Sequence, residues 1–335
     1  MLKQEFKIWF PSYERINSGL LSGNNKPTPV CRLLCIPGAG STDQVFVQKN
    51  IKGGDSSNIL VDYAQENDIE VAVLQLPGRA GRSNEMCYTD IMSLINDFFP
   101  IFLDHFIGSI KSSEGSNNIP WILVGHSMGG LICFELLKKL KFEFMNYFIK
   151  EGKPKSNEEL GELLRVNRIF PELLAIMSTF PPNIPLNKCP WRKSEDLCDM
   201  EFMEECRGWG INEAVFKKGI WEEFVKQLRC DFKMFDSYNL IDIDRTNYHF
   251  ECDKNSLYPL GLKRVQLWSA TNDHKVTKED IRSWKDLLVS KEDSLEFCEV
   301  VGPHNFLHDA NTRKNWMKDF ISALDLVILE LEYNC

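Results

Sequence analysis

Eleven cysteines are scattered along the chain without a CxxC pair or a cysteine and histidine spacing suited to zinc, so neither a redox dithiol nor a structural metal site is expected. The odd count and loose spacing fit reduced thiols in a cytoplasmic setting better than a disulfide framework. No apolar run is long enough to span a bilayer. The best stretch, 321–331, is interrupted by Asp325 and Glu330, which argues against stable membrane insertion. The start does not read as a signal peptide either, because Lys3, Glu5 and Lys7 fall where a continuous apolar segment would be needed. Positive charge is in short supply: 39 Lys and Arg face 48 Asp and Glu, a net charge of -9, without the basic footprint of a nucleic-acid binder. Internal repeats and low-complexity tracts are missing too, and no cofactor is called for.

What remains is a globular composition. Hydrophobic residues make up 43% and charged residues 26% of the 335 positions, enough to bury a sizeable core in one large domain with insertions. Short apolar runs bounded by Gly, Pro or polar residues lie at 31–37 (CRLLCIP), 69–76 (IEVAVLQL), 121–125 (WILVG) and 263–270 (KRVQLWSA), with further candidates at 172–178 and 295–301. They read as buried strands. Segments of helical period separate them, notably 91–110, 131–147, 281–289 and a closing 316–331. The alternation predicts an α/β fold, a mostly parallel sheet with helices on both faces. Two stretches interrupt it. The polar segment 150–162 reads as a surface insertion or loop, and 181–258 reads as a helical cap. The expected organisation is an N-terminal extension (1–29), a core (30–182 and 262–335) and a helical lid insertion (183–261). Within the lid Phe216, Ile220, Phe224, Leu228 and Phe232 fall four apart, with Trp221, Val225 and Phe235 beside them. That apolar face has two readings, the lining of an acyl tunnel, with Trp221 and Phe224 in contact with substrate, or the packing of the cap on the core.

The chemistry concentrates at Gly125-His126-Ser127-Met128-Gly129, a G-x-S-x-G placed between the strand WILV and the apolar run LICFELLKKL. Strand, tight turn and helix form the setting of a nucleophile elbow, so the fold class expected is the α/β-hydrolase. Ser127 is the candidate nucleophile, and the N–H of Met128, at the helix start, is a candidate oxyanion donor. Pro37-Gly38-Ala39-Gly40 ends an early strand and offers a second donor, Ala39, with Gly38 as the alternative. The same residues would also suit a plain glycine turn.

A serine hydroxyl needs a base and the base a carboxylate. Of six histidines, His126 sits inside the elbow and should point away from the hydroxyl, His105 lies in a helical segment and His249 in the cap. His304, just past the last strand candidate, lies where α/β sheets carry catalytic loops, with His274 and His308 as weaker rivals. Asp273 directly follows the strand KRVQLWSA and precedes His304, the chain order of hydrolases of this kind. The preceding strand ends in Ser178-Thr179-Phe180-Pro181 without a carboxylate, which favours Asp273 over Asp242, Asp244 and Asp309.

Several separated motifs resemble one family. Ile36-Pro37-Gly38-Ala39-Gly40, Leu76-Pro77-Gly78-Arg79 with Arg82, Gly125-His126-Ser127-Met128-Gly129-Gly130 running into Phe134-Glu135, Leu228-Arg229-Cys230-Asp231 with Tyr238, Asp273 followed by Trp284, and Gly302-Pro303-His304-Asn305-Phe306-Leu307 occur in the order found in type II thioesterases. These are the stand-alone editing enzymes that accompany polyketide, nonribosomal-peptide and some fatty-acid synthases. The departures are the insertion at 150–162, the stretch 53–58, Gly38 where the family often carries an aromatic, and Pro303 where it often has glycine. The resemblance implies hydrolysis of acyl groups from the phosphopantetheine thiol of an acyl carrier protein, or from acyl-CoA, under a mobile cap. An acidic carrier would need a local basic surface. Lys138, Lys139 and Lys141 with Lys150, Lys153 and Lys155 are candidates, though lysines so spaced also suit a solvated face, and Arg79 or Arg82 could meet the phosphate of the arm. The same machinery would serve a carboxylesterase or lipase, and a hydrolase shell that binds acyl groups without turnover is a further alternative.

Overall fold

A computed structural model describes residues 3–21, 28–49, 58–108, 119–150, 156–240, 243–244 and 258–333. Six strands, β1 (Cys31–Ile36), β2 (Ile69–Val73), β3 (Trp121–His126), β4 (Leu173–Met177), β5 (Val265–Ala270) and β6 (Leu295–Val300), form one sheet in the order β2-β1-β3-β4-β5-β6. Every pairing is parallel. Strands β2 to β5 are buried along their whole length, as a sheet covered on both faces requires, whereas β6 at the edge exposes Glu296, Phe297 and Glu299.

Period-two alternation divides the core in two. Trp121 and Leu123 of β3 join one apolar cluster, and Ile122 and Val124 join the other. The helix Met128–Lys150 covers the first face, with Phe134, Leu137 and Leu140 buried. The C-terminal helix Ala310–Tyr333 covers the second with Trp316, Phe320, Leu324 and Val327.

The first residues are part of this core. Helices Gln4–Trp9 and Tyr13–Ile16 insert Phe6, Trp9, Phe10 and Tyr13 into the first cluster, where Trp9 meets Phe98 with ring centroids 5.4 Å apart. The Asn17 side chain acts as a short extra strand on the outer edge of β2. Its amide donates to Val71 O at 2.8 Å and accepts from Val71 N at 2.8 Å, which satisfies backbone groups that an open edge would leave bare. The described part of the stretch read from sequence as an extension is therefore packed into the core, chiefly on the first face, with Ile16 on the second.

Three helical segments differ from expectation. The stretch 91–110 is a helix only over Ile91–Phe102; it then widens into a π-helical turn, Leu103–Ile107, closed by Gly108 in the left-handed region (φ 68°). Residues 109–110 lie outside the described residues. Of the supposed loop 150–162, residues 151–155 are not described, and the remainder starts a helix, Asn157–Val166. Ser156 caps it by accepting from Glu159 N, and Leu160 and Leu164 bury its inner side. The segment 281–289 is two short helices, Lys278–Arg282 and Lys285–Leu288, parted at Trp284, whose indole N–H donates to Thr179 O at 2.8 Å. The described residues between β4 and β5 are helices and turns without a strand, chiefly Asp199–Gly208 and Trp221–Asp236. No helix among the described residues is long and apolar enough to cross a membrane.

Because Trp9 is 7% exposed and wedged against Phe98, Trp9→Ala should destabilise the whole domain by about 3–5 kcal/mol in urea unfolding. A peripheral extension would instead give a loss under about 0.5 kcal/mol.

Candidate active site

The site lies at the carboxyl end of the sheet, where the turns after β1, β3, β5 and β6 converge. Ser127 takes a left-handed conformation (φ 54°) between β3 and its helix, a strained turn that raises the hydroxyl above the sheet. Its N–H donates to Met177 O at 2.8 Å, and its carbonyl accepts from Thr179 Oγ1 at 2.9 Å. Gly129 lets the helix start lie against β1, since a Cβ there would stand 2.2 Å from Ile36 O.

The three candidate side chains are in contact. His304 Nδ1–H donates to Asp273 Oδ2 at 2.7 Å, and Nε2 lies 2.8 Å from Ser127 Oγ, placed to accept its hydrogen. Asp273 Oδ1 accepts the backbone N–H of Lys275 at 2.9 Å and of Val276 at 3.0 Å. Burial pushes the Asp273 carboxyl up, but His304 and the two N–H donors outweigh it and hold the group below its ordinary value. It is therefore ionised at neutral pH, which selects the His304 tautomer with Nε2 free to act as base.

The other histidines stand elsewhere. His126 points away from Ser127, and its Nε2–H donates to His304 O at 2.9 Å, bracing the histidine loop. Burial, with the nearby His304, pushes its pKa down to about 3. His308 contacts Ser41 Oγ at 2.9 Å, and His105 pairs with Glu70 at 2.5 Å. His274 is exposed, while His249 and Asp242 lie outside the described residues. Asp244 pairs with Lys138 at 2.7 Å, and Asp309 caps the C-terminal helix through Asn311 N and Thr312 N.

The loop after β1 lies beside the nucleophile: a Cβ on Gly38 would stand 3.0 Å from the Ser127 Cβ, which leaves no room there for a larger side chain on this backbone. Gly130 N–H donates to Ser127 O at 2.9 Å, but the N–H groups of Gly38, Ala39 and Met128 have no backbone or side-chain acceptor among the described residues. These groups are open to a substrate oxygen. Gly40 N–H is not, because Asp231 Oδ2 takes it at 2.7 Å.

A cavity of about 320 Å³ opens over Ser127, lined by Met128, Phe180, Trp191, Trp209, Phe235 and Tyr238 among others. Its walls are mostly apolar, suited to a hydrocarbon chain. Trp209 also packs edge-on to the His304 ring, centroids 4.8 Å apart. Among these, Trp191 and Trp209 carried no periodic signal in the sequence. The lid is bonded to three site loops: Trp209 O accepts from Asn305 Nδ2 at 2.8 Å, Glu205 pairs with Lys275 at 2.5 Å, and Asp231 holds Gly40 N.

Several expectations are corrected by this geometry. Trp221 does not line the cavity; it is 7% exposed and packed at a tilt against Phe202 and Phe216, inside the helical segment between β4 and β5. Phe224 lines a separate hollow of about 180 Å³ beyond Ala39 and Gly40, with Leu228 and His308. The helix begins at Trp221, which leaves Phe216 in a 3-10 turn and Ile220 at the N-cap, and so breaks the expected stripe. Arg79 does not face a phosphate: it is buried and forms a two-pronged ion pair with Asp231, at 2.5 and 2.9 Å. Arg82, the other phosphate candidate, is held by Glu85 and by Gln75 O. The lysines 138 and 141 are no docking face. Both side chains are buried, Lys138 between Glu135 and Asp244 and Lys141 on Pro259 O, with burial lowering Lys141 to about 7. Lys153 and Lys155, and the Lys150 side chain, lie outside the described residues.

Because folded His126 resists protonation down to about 3 while an unfolded histidine titrates near roughly 6.5, the unfolded chain binds the extra proton between those values. Stability should therefore fall as pH drops below about 6.5. Thermal melts of wild type and His126→Gln at pH 7 and pH 5 should show a shallower decline for the variant; equal declines would contradict this account of His126.

No protein-family model matches the chain. It is 25% identical over 298 residues, 88% of its length and 90% of the relative's, to the gramicidin S biosynthesis protein GrsT of Aneurinibacillus migulanus. Among solved structures, the RedJ thioesterase from the prodiginine biosynthetic pathway of Streptomyces coelicolor superposes with a TM-score of 0.57 at 19% identity, covering 91% of this chain and 92% of RedJ. YbtT, the type II thioesterase of the yersiniabactin NRPS/PKS pathway, gives 0.56 at 16%, covering 91% and 97%. With its six parallel strands and their crossing helices, this chain has the α/β-hydrolase fold in the form seen in type II thioesterases of NRPS/PKS pathways.

Proposed function

We propose that the protein hydrolyses acyl thioesters through an acyl-enzyme intermediate, with Ser127 as nucleophile, His304 as general base and then general acid, and Asp273 as the anion that orients and supports the imidazole. The observation that carries this reading is the unbroken hydrogen-bonded relay, 2.7 Å from Asp273 to His304 and 2.8 Å from His304 to Ser127, at the floor of an apolar cavity. In the first half-reaction His304 Nε2 takes the Ser127 proton as Oγ attacks the acyl carbon. The oxyanion then forms toward Met128 N–H and Ala39 N–H, and the imidazolium is held by Asp273. The C–S bond breaks and the sulfur takes the imidazolium proton, a departure helped by a thiol pKa near roughly 8.5; neutral His304 then deprotonates the water that attacks the acyl-serine and returns the proton to Ser127 Oγ as the acid is released.

Residues 183–261 form the lid of this reading, residues 30–182 and 262–335 its core. The substrates proposed are acyl groups on the phosphopantetheine arm of an acyl carrier protein or carrier domain, or acyl-CoA, in the cytoplasm. Support comes from the apolar cavity and from the likeness to pathway thioesterases. Hydrolysis of oxygen esters by the same residues is the second reading, and the assay separates the two.

Acyl-CoA, acyl-carrier and p-nitrophenyl esters assayed in parallel should give the highest kcat/KM on the thioesters, and a fluorophosphonate should label wild type but not Ser127→Ala. Asp273→Asn should lower kcat by about 10²–10⁴-fold. A Ser127→Ala protein that still turns over or is still labelled would sink the assignment. Phe235→Ala should shift the preferred acyl length upward, each newly buried methylene being worth about 0.8 kcal/mol, whereas Trp221→Ala should lower stability without moving the length profile.

A further inference from the structure

One of the three bonds between lid and core centres on a carboxylate and a guanidinium that are both buried. Asp231, 0% exposed, projects from the lid helix Trp221–Asp236. Its Oδ2 accepts Gly40 N–H at 2.7 Å and Arg79 Nη1 at 2.9 Å, and its Oδ1 accepts Arg79 Nη2 at 2.5 Å. Arg79 Nη1 also donates to Ser41 O at 3.1 Å, so one guanidinium and one carboxylate hold both the N–H and the C=O side of the 40–41 turn. Leu228, three residues earlier on the same helix face, packs on Gly40. A Cβ there would stand 2.8 Å from Leu228 Cδ2, and the residue's φ of +71° already favours glycine. The lid helix thus holds Gly40 by hydrogen bond and by packing, one residue beyond the Ala39 N–H.

We propose that Asp231 and Arg79 are positioning residues for the oxyanion loop, so that docking of the lid helix sets the rate of acyl transfer at Ser127. This rests on the reading of Ala39 N–H as an oxyanion donor. Two effects act together. The carboxylate fixes the peptide that follows Ala39 and so aims the donor. Its negative charge, left alone, would oppose the oxyanion that forms nearby, and the Arg79 guanidinium neutralises it. Any opening of the lid that admits substrate while keeping the site competent leaves the Leu228–Asp231 turn in place and moves other parts of 183–261.

The test uses the full chain with hexanoyl-CoA and p-nitrophenyl hexanoate. Asp231→Asn should lower kcat by about 10- to 100-fold with KM changed less than about threefold, the split expected for loss of transition-state stabilisation. Affinity for a trifluoromethyl ketone analogue, which forms the tetrahedral adduct, should fall by the same factor as kcat, while affinity for hexanoate should stay. Arg79→Gln leaves the buried carboxylate unneutralised and should be slower than Asp231→Asn. The double variant Arg79→Gln/Asp231→Asn should recover part of that loss. If Arg79→Gln fails to fold, Asp231→Asn and the double variant carry the test. An active wild type whose folded Asp231→Asn keeps kcat within about twofold, or loses kcat and hexanoate affinity alike, overturns the positioning role alone. Wild type inert toward both esters, or Ser127→Ala as active as wild type, overturns instead the reading of the site on which it rests.

Discussion

A buried carboxylate facing a buried imidazole is the contact on which the rest of the site depends. Removing an ionised group from water is costly unless hydrogen bonds replace the lost solvent. Asp273 meets that condition with two backbone N–H donors and the His304 ring. Because each donor has a fixed direction, the carboxylate cannot turn, the imidazole cannot flip, and Nε2 stays aimed at Ser127. The backbone elements follow from the same requirement. The two N–H groups belong to the turn after β5, the ring to the turn after β6, and the hydroxyl to the elbow after β3. The parallel sheet, with the carboxyl ends of all its strands on one edge, brings those three turns together.

The helical segment between β4 and β5, the proposed lid, is a brace as well as a cover. It closes an apolar chamber over the hydroxyl through Trp191, Trp209 and Phe235, and it is hydrogen-bonded to the loops that carry Gly40, Lys275 and Asn305. Apolar walls and loop contacts are therefore supplied by one segment. The same segment holds, through Gly40, the loop that carries Ala39, the donor proposed beside Met128.

Much of the architecture was legible from local pattern. Fully apolar runs bounded by turn residues marked the buried strands, because a doubly covered parallel strand has no polar face to confuse the signal. Helical segments were read less well where a single residue decides their limits. Gly108 closes the π-helical turn after 91–102, Ser156 starts a helix inside an apparently loop-like charged stretch, and Trp284 divides a supposed single helix because its indole is bonded to the distant Thr179. Charged residues were the hardest. Arg79 was, with Arg82, a candidate phosphate ligand, and Lys138 and Lys141 candidates for a docking or a solvated face, yet all three are buried, Arg79 on a partner 152 residues away and Lys141 on one 118 away.

The order of residues alone determined the strand set, the elbow around Ser127, and the placement of an aspartate and a histidine after successive strands, because these depend on short-range pattern and chain order. Tertiary structure alone decided that the three side chains touch, that Trp191, Trp209 and Phe235 rather than Trp221 and Phe224 face the cavity, and that Arg79 answers Asp231 instead of a ligand. The reason is physical: which way a side chain faces and what neutralises a buried charge depend on elements far apart in the chain, and their contacts leave no periodic trace along it.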